Sequence, residues 1–315
     1  MNTRRPLFAV DVGNTRTKIC YWSDSLSASD AAKRSGESNV PPAESETADS
    51  SASYEVVAQW LDDLALDATP CQWILSSVNK GNASALERVV HLRRPQDVFV
   101  RLTLNDVPIP VVYDCPERLG LDRAVAGFAG VQVLGAGVPF LVVDVGTAAT
   151  IDYVDATGRF CGGAILPGPR LTAEALNAKT SQLPMLSDPE NSDLNAVSDD
   201  SLRRPVSYPA TETQKAIRLG VVYTLVGAVA SFYWKTRRRI MEEGGDSSML
   251  TLVLAGGNAV STERNLSSYF DDLDANLETR VPRPRIVVEP RLVVNGLYRI
   301  ASLSQSETSS SVSEE

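Results

Sequence analysis

The amino-acid sequence predicts an α/β protein made of two similar halves. Two observations carry that expectation. Short apolar strands alternate with helical stretches, with few long meanders between them. One strand–acid–turn pattern also occurs twice: Leu7 to Ile19 reads LFAVDVGNTRTKI, and Phe140 to Asp152 reads FLVVDVGTAATID. Setting Asp11 against Asp144 aligns Gly13 with Gly146 and Thr17 with Thr150. At 315 residues and 43 % hydrophobic content the chain has material for two cores. The boundaries expected are 1–115, 116–303 and a disordered tail at 304–315.

Taken in order, Leu7 to Val10 is a strand that runs into the Asp11 turn, and Lys18 to Trp22 begins a second. Ser23 to Ser53 is rich in Ser, Ala, Glu and Pro and reads as a surface loop or disordered excursion. Val56, Val57, Trp60, Leu61 and Leu64 have helical spacing within Tyr54 to Leu66. Gln72 to Val78 is a strand, Asn82 to Leu92 a short helix, and Asp97 to Leu104 another strand. Pro108 and Pro110 interrupt the chain before the extended Val111 to Tyr113. Pro116 to Leu134 reads as a helix, broken by Gly135 to Pro139. Phe140 to Val143 is a buried strand, and Arg159 to Leu166 returns after a hairpin turn at Asp155 to Gly158. Leu171 to Lys179 is helical. Ser187 to Thr211 is polar, acidic and Pro-punctuated, a mobile loop. Thr213 to Arg239 is a long helix, Leu250 to Leu254 a strand, and a helix follows from Glu263. Arg285 to Val288 is the last strand and Leu292 to Leu303 the last helix.

Bulk properties exclude several classes. A net charge of −9 argues against broad nucleic-acid or anionic-membrane binding. His91 is the single histidine, flanked by Arg93 and Arg94, and reads as a surface residue rather than a triad or metal member. Cys20, Cys71, Cys115 and Cys161 form no CxxC pair, so they read as reduced, cytoplasmic thiols. The apolar run Leu7 to Val10 is too short for a signal peptide. Ala124 to Val143 lacks charge but is broken by Gly and Pro. Leu219 to Trp234 is short of the roughly 20 residues a bilayer requires, and reads as a buried or subunit-interface helix.

The chemistry centres on the two acid turns. A carboxylate at a strand's C-terminal end can hold a cation, while the N–H groups of a Gly-rich turn meet phosphate oxygens. One D-x-G is an ordinary turn; two in matching contexts suggest a grip on a nucleotide triphosphate. No GxxxxGK[ST] is present, and Gly135-Ala136-Gly137 precedes a strand, so neither a P-loop nor a dinucleotide fingerprint applies. Gly256-Gly257, after Thr251 to Leu254, is either a plain turn or a slot where a flat ring nears the backbone. In Tyr113 to Arg123 (YDCPERLGLDR), Asp122 and Arg123 are either a helix-surface pair or a base beside a carboxylate-binding cation.

These segments together resemble the type III pantothenate kinases, of the superfamily that includes acetate and sugar kinases and actin. DVGNTRTK at Asp11 to Lys18 resembles the first phosphate motif, YDCPERLGLDR the pantothenate motif, and DVGTAATID at Asp144 to Asp152 the second phosphate motif. GGAILPG at Gly162 to Gly168, Thr213 to Ile217 at the start of an interface helix, and AGGN at Ala255 to Asn258 follow in order. Cys115 stands where the family often has Asn, and Ser23 to Ser53 looks longer and more polar than its usual hairpin.

The resemblance implies two duplicated ribonuclease-H-like (actin-like ATPase) domains with the site in the cleft between them. It implies ATP-dependent phosphorylation of pantothenate, the first step of coenzyme A biosynthesis. Asp11, Val12, Gly13, Asn14, Thr15, Arg16, Thr17 and Lys18 would bind ATP phosphates, with Mg²⁺ at Asp11. Thr147, Gly256 and Gly257 would also contact ATP, and Asp144 would hold a monovalent cation, K⁺ or NH₄⁺. Tyr113, Gly120, Leu121, Asp122, Arg123 and Thr213 would bind pantothenate, with Asp122 as general base. A homodimer is implied too. Alternatives are another small-molecule kinase of this fold, a non-catalytic accessory protein, or a polymerising, actin-like protein.

Overall fold

The computed structural model of the chain describes residues 5–23, 42, 44–50, 54–186, 208–276 and 282–311. The chain divides into two compact units, Met1–Gly135 with Arg291–Glu315, and Ala136–Pro290. The expected boundary at residue 115 lies ahead of this division, because two helices from later in the chain join the first unit.

The first unit is built on β1 (Leu7–Val12), β2 (Arg16–Trp22), β3 (Glu44–Asp49), β4 (Gln72–Ser77) and β5 (Val98–Arg101), ordered β3-β2-β1-β4-β5. β1 and β2 form an antiparallel hairpin, while β4 runs parallel to β1. Strand alternation puts Phe8, Val10 and Val12 on one face, where they meet Val57 and Leu61 of α1 (Glu55–Asp63) and Ala83, Leu86 and Val90 of α2 (Lys80–Arg93). Phe8 stacks on Trp73 with ring centroids 4.0 Å apart. The opposite face packs against α7 (Leu292–Ser311), which also packs on α3 (Leu121–Leu134). Gly296 permits that approach: a Cβ there would lie 2.9 Å from Val125 Cγ1 and 3.0 Å from Ala129 Cβ. Trp22 stacks on Tyr298 at 4.5 Å.

The second unit repeats the plan. β6 (Phe140–Val145), β7 (Ala148–Val154), β8 (Phe160–Pro167), β9 (Thr251–Ala255) and β10 (Arg285–Val288) are ordered β10-β9-β6-β7-β8. β6, β7 and β8 are antiparallel in turn, and β9 and β10 run parallel to β6, so each β1–β5 strand has a counterpart in β6–β10. This doubling of one α/β sheet order bears out the two similar halves read from the sequence and is the duplicated ribonuclease-H-like architecture that the family resemblance implies. Leu141, Val143 and Val145 pack with α5 (Thr213–Glu242) and α6 (Ala259–Asn276). α4 (Pro169–Lys179) joins the first turns of α5 through Ala173, Ile217 and Val221.

Two expectations are corrected. β3 lies inside the stretch read as a loop: its ESETAD sequence is an edge strand with only Ala48 buried, so no apolar alternation marks it. α7 continues to Ser311, into the segment assigned to a disordered tail. Within it Ser302 and Ser304 donate to Tyr298 O and Ile300 O, one turn back. α5 is 30 residues, and by length and composition alone it meets the requirement for a membrane span; the core of the second unit buries one side of it. Most of 23–53 and 187–211 lies outside the described residues.

Candidate active site

Both acids sit where the repeated topology puts ligands. Each closes the central strand of its sheet, between an antiparallel and a parallel neighbour, which is the point where strand order reverses. Asp11 pairs across to Lys18 and beside Ser76 of β4. Asp144 pairs across to Thr150 and beside Ala255 of β9.

The two turns differ by one residue. Val12 faces Thr17 across the first hairpin, whereas Val145 faces Ala149 across the second. Linear alignment sets Thr17 against Thr150, but its counterpart by register is Ala149. In the first turn Gly13 N donates to Arg16 O at 3.0 Å, and a Cβ on Gly13 would lie 2.9 Å from that oxygen. Asn14 and Arg16 are exposed, Gly13, Thr15 and Lys18 half-buried. The side chains of Val12 and Thr17 are fully buried, so what these two residues offer a phosphate is backbone N–H. Thr17 Oγ1 lies 2.8 Å from Ser50 Oγ and 2.9 Å from Tyr54 OH, so its hydroxyl faces the core.

The first unit also carries the Tyr113–Arg123 segment. A 3-10 turn at Pro116–Arg118 leads to Gly120, which precedes the first residue of α3. Asp122 lies in the first turn, where the helix dipole favours a carboxylate. Its Oδ1 accepts from Arg123 N at 2.9 Å. A Cβ at Gly120 would lie 2.6 Å from that Oδ1, so glycine leaves the carboxylate its room. Arg123 is buried, its guanidinium carbon 6.0 Å from the Tyr113 ring centroid. Tyr113, Gly120, Asp122 and Arg123 are thereby brought together, with Leu121 half-buried beside them.

In the second unit Asp144, Thr147, Gly256 and Asn258 converge at the ends of β6 and β9. Gly256 has φ +84°, and a Cβ there would press on Asp144 Oδ1 and lie 2.7 Å from Val145 O. Asn258 N donates to Val145 O at 3.3 Å. Thr147 is exposed, and its carbonyl accepts from Gly168 N at 2.9 Å. Gly257 is exposed with nothing near its Cβ position. Thr213 opens α5 as an exposed residue, and the described contacts do not join it to the Asp144 turn. Gly168 is the residue whose part sequence reading missed. A Cβ on it would lie 2.6 Å from Thr147 O, and the only signal was its place at the end of GGAILPG.

The model of the type III pantothenate kinase family matches residues 7–235, which includes both acid turns and Tyr113–Arg123 but stops before Gly256. The type III pantothenate kinase of Rhodopirellula baltica is 34 % identical over 224 residues, covering 71 % of this chain and 69 % of its own. That of Synechococcus elongatus is 36 % identical over 207 residues, covering 64 % of this chain and 65 % of its own. The chain thus spans about two thirds of the length of these relatives.

Proposed function

The chain belongs to the type III pantothenate kinases, and we propose that it transfers the γ-phosphoryl group of ATP to pantothenate, giving ADP and 4′-phosphopantothenate, the entry to coenzyme A. The observation that carries this reading is a family match spanning both acid turns and the Asp122 segment.

In this reading Gly13 to Lys18 bind the phosphates through turn N–H groups and the Arg16 and Lys18 charges. Tyr113, Gly120, Leu121 and Arg123 seat pantothenate, with Arg123 toward its carboxylate. Asp122 takes the proton of the primary hydroxyl as that oxygen bonds the γ-phosphorus and the bond to the β–γ bridging oxygen breaks. The Arg123 N–H on Oδ1 orients the carboxylate for this task. Thr147, Gly256 and Gly257 lie against the nucleotide.

Among the described residues no group of three or more His, Cys, Asp or Glu makes a metal cage. Strand-end carboxylates suit cations that arrive with phosphates and keep their waters. Asp11 would hold Mg²⁺, and the cradle beside Asp144, which a Cβ on Gly256 would fill, would hold K⁺ or NH₄⁺. Bound there, these ions neutralise charge on the phosphates. The homodimer reading rests on α5, where Gly220 and Gly227 face open space and Tyr223 is 46 % exposed. Thr213 would then reach pantothenate from the interface. The four thiols are unpaired, as a cytoplasmic enzyme would keep them.

The test is ADP release by purified protein with pantothenate, sugars or acetate, with and without K⁺. Turnover of pantothenate is expected; turnover of another acceptor alone would sink the reading. Size-exclusion chromatography with light scattering tests the dimer.

A further inference from the structure

Behind the first acid turn lies a buried cluster of three hydroxyls, from Thr17, Ser50 and Tyr54. All three residues are at most 2 % exposed. Thr17 Oγ1 bonds both of the others, at 2.8 and 2.9 Å. The cluster is coupled to the turn by two further links. Thr17 directly follows the Gly13–Arg16 loop and pairs with Val12. Ser50 N donates to Thr15 O, within the loop, at 2.9 Å. Tyr54 is held in the left-handed region at φ 57°, an unfavourable backbone for a bulky residue.

The second unit shows that the fold does not require this arrangement. There the register counterpart of Thr17 is Ala149, fully buried and without a hydroxyl. Backbone bonds in its shorter turn run from Gly146 N to Ala148 O at 3.0 Å and from Gly168 N to Thr147 O at 2.9 Å. A buried hydroxyl without partners costs free energy, and a satisfied cluster admits few geometries.

We propose that Ser50 and Tyr54, acting through Thr17, are positioning residues that hold the first acid turn in its phosphate-binding shape. This rests on the nucleotide role assigned above to that turn. Thr17 then serves ATP indirectly, by fixing the carbonyl and N–H directions of Gly13 to Arg16. Tyr54 and Ser50 become determinants of ATP affinity although neither reaches solvent.

The test is ATP binding by calorimetry together with thermal melting, on Tyr54→Phe, Thr17→Val and Thr17→Ser. Trp73→Phe is the structural control, because it deletes the buried hydrogen bond from Trp73 Nε1 to Asp97 Oδ2 and trims the ring stacked on Phe8 and Phe99, at the opposite end of β4 from Ser76, the neighbour of Asp11. Tyr54→Phe and Thr17→Val are expected to weaken ATP about fivefold or more, the value of one hydrogen bond. Thr17→Ser should restore most of the affinity, and Trp73→Phe should lower the melting temperature with ATP affinity kept. Wild-type affinity in Tyr54→Phe and Thr17→Val, whether or not they melt earlier, would overturn the proposal. So would an equal loss of affinity in Trp73→Phe. Because the readout is binding, a wild-type protein that binds ATP but spares pantothenate would refute the kinase reading and leave this comparison decisive.

Discussion

Replacing Gly256 with Ala tests the cradle beside Asp144 directly. The residue sits at φ +84°, and the added methyl would press on Asp144 Oδ1 and lie 2.7 Å from Val145 O. The left-handed backbone costs an L-residue about 1–2 kcal/mol. Overpacking against a backbone carbonyl adds about 1–3 kcal/mol, because a carbonyl in a strand cannot swing away. Together these make about 2–5 kcal/mol. The unit spans Ala136–Pro290, a size at which each kcal/mol moves the melting point by about 2–4 °C. The expected loss is therefore between about 4 and 20 °C. Part of the strain can be relieved by turning the Asp144 carboxylate, so K⁺ stimulation of turnover should weaken as well. Gly257→Ala is the matched control, since nothing lies within 4 Å of its Cβ position. Scanning calorimetry on both variants settles the matter. A Gly256→Ala protein that melts with the wild type would refute the described geometry.

Other outcomes follow from neighbouring features. Asp122→Asn should keep ATP binding and lose turnover by about 10²–10⁴-fold or more, in a coupled ADP assay; wild-type turnover would remove Asp122 as the base. Asp97→Ala should destabilise the first unit by about 3–5 kcal/mol in urea, because its buried carboxylate accepts from Cys71 N, Trp73 Nε1 and Arg94 Nε, and Arg94 would lose its buried counter-charge while keeping the Asp67 and Thr69 carbonyls. A loss below about 1 kcal/mol would contradict that network. Asp155 gives a pH signature. Partial burial pushes its carboxyl up, but hydrogen bonds from Thr157 and Arg159 together outweigh burial and bring it from 3.8 to about 2. A folded-state pKa below the unfolded one means stability present above pH 3.8 and lost as pH falls toward about 2. Asp155→Asn should flatten that acid limb in melts taken across the window, and an unchanged slope would refute the assignment.

The halves were legible because their strands are apolar and their turns carry an acid and a glycine in one order. β10 matches its expected bounds, Arg285–Val288. What stayed hidden was whatever depends on partners distant in sequence. β3 carries no alternation because only Ala48 turns inward. Thr17 looks like a phosphate ligand in NTRTK, and only strand register shows that it points into the core beside Tyr54. Gly168 acquires its meaning from the carbonyl of Thr147, which linear order does not bring near it. The helix at Leu121–Leu134 was legible as a helix, but its allegiance to the first unit depends on α7.

That allegiance makes the first unit discontinuous: residues 1–135 are completed by residues from 291 onward. During synthesis, β1 and β4 can pair soon after they are made, with α1 and α2 covering one face. The other face has to wait for α7, and Trp22 for its partner Tyr298. The second unit, being one uninterrupted stretch, has no such delay. The earliest strand of the chain is thus finished by a late helix, so a nascent chain stalled near residue 290 would expose an apolar sheet face to chaperones.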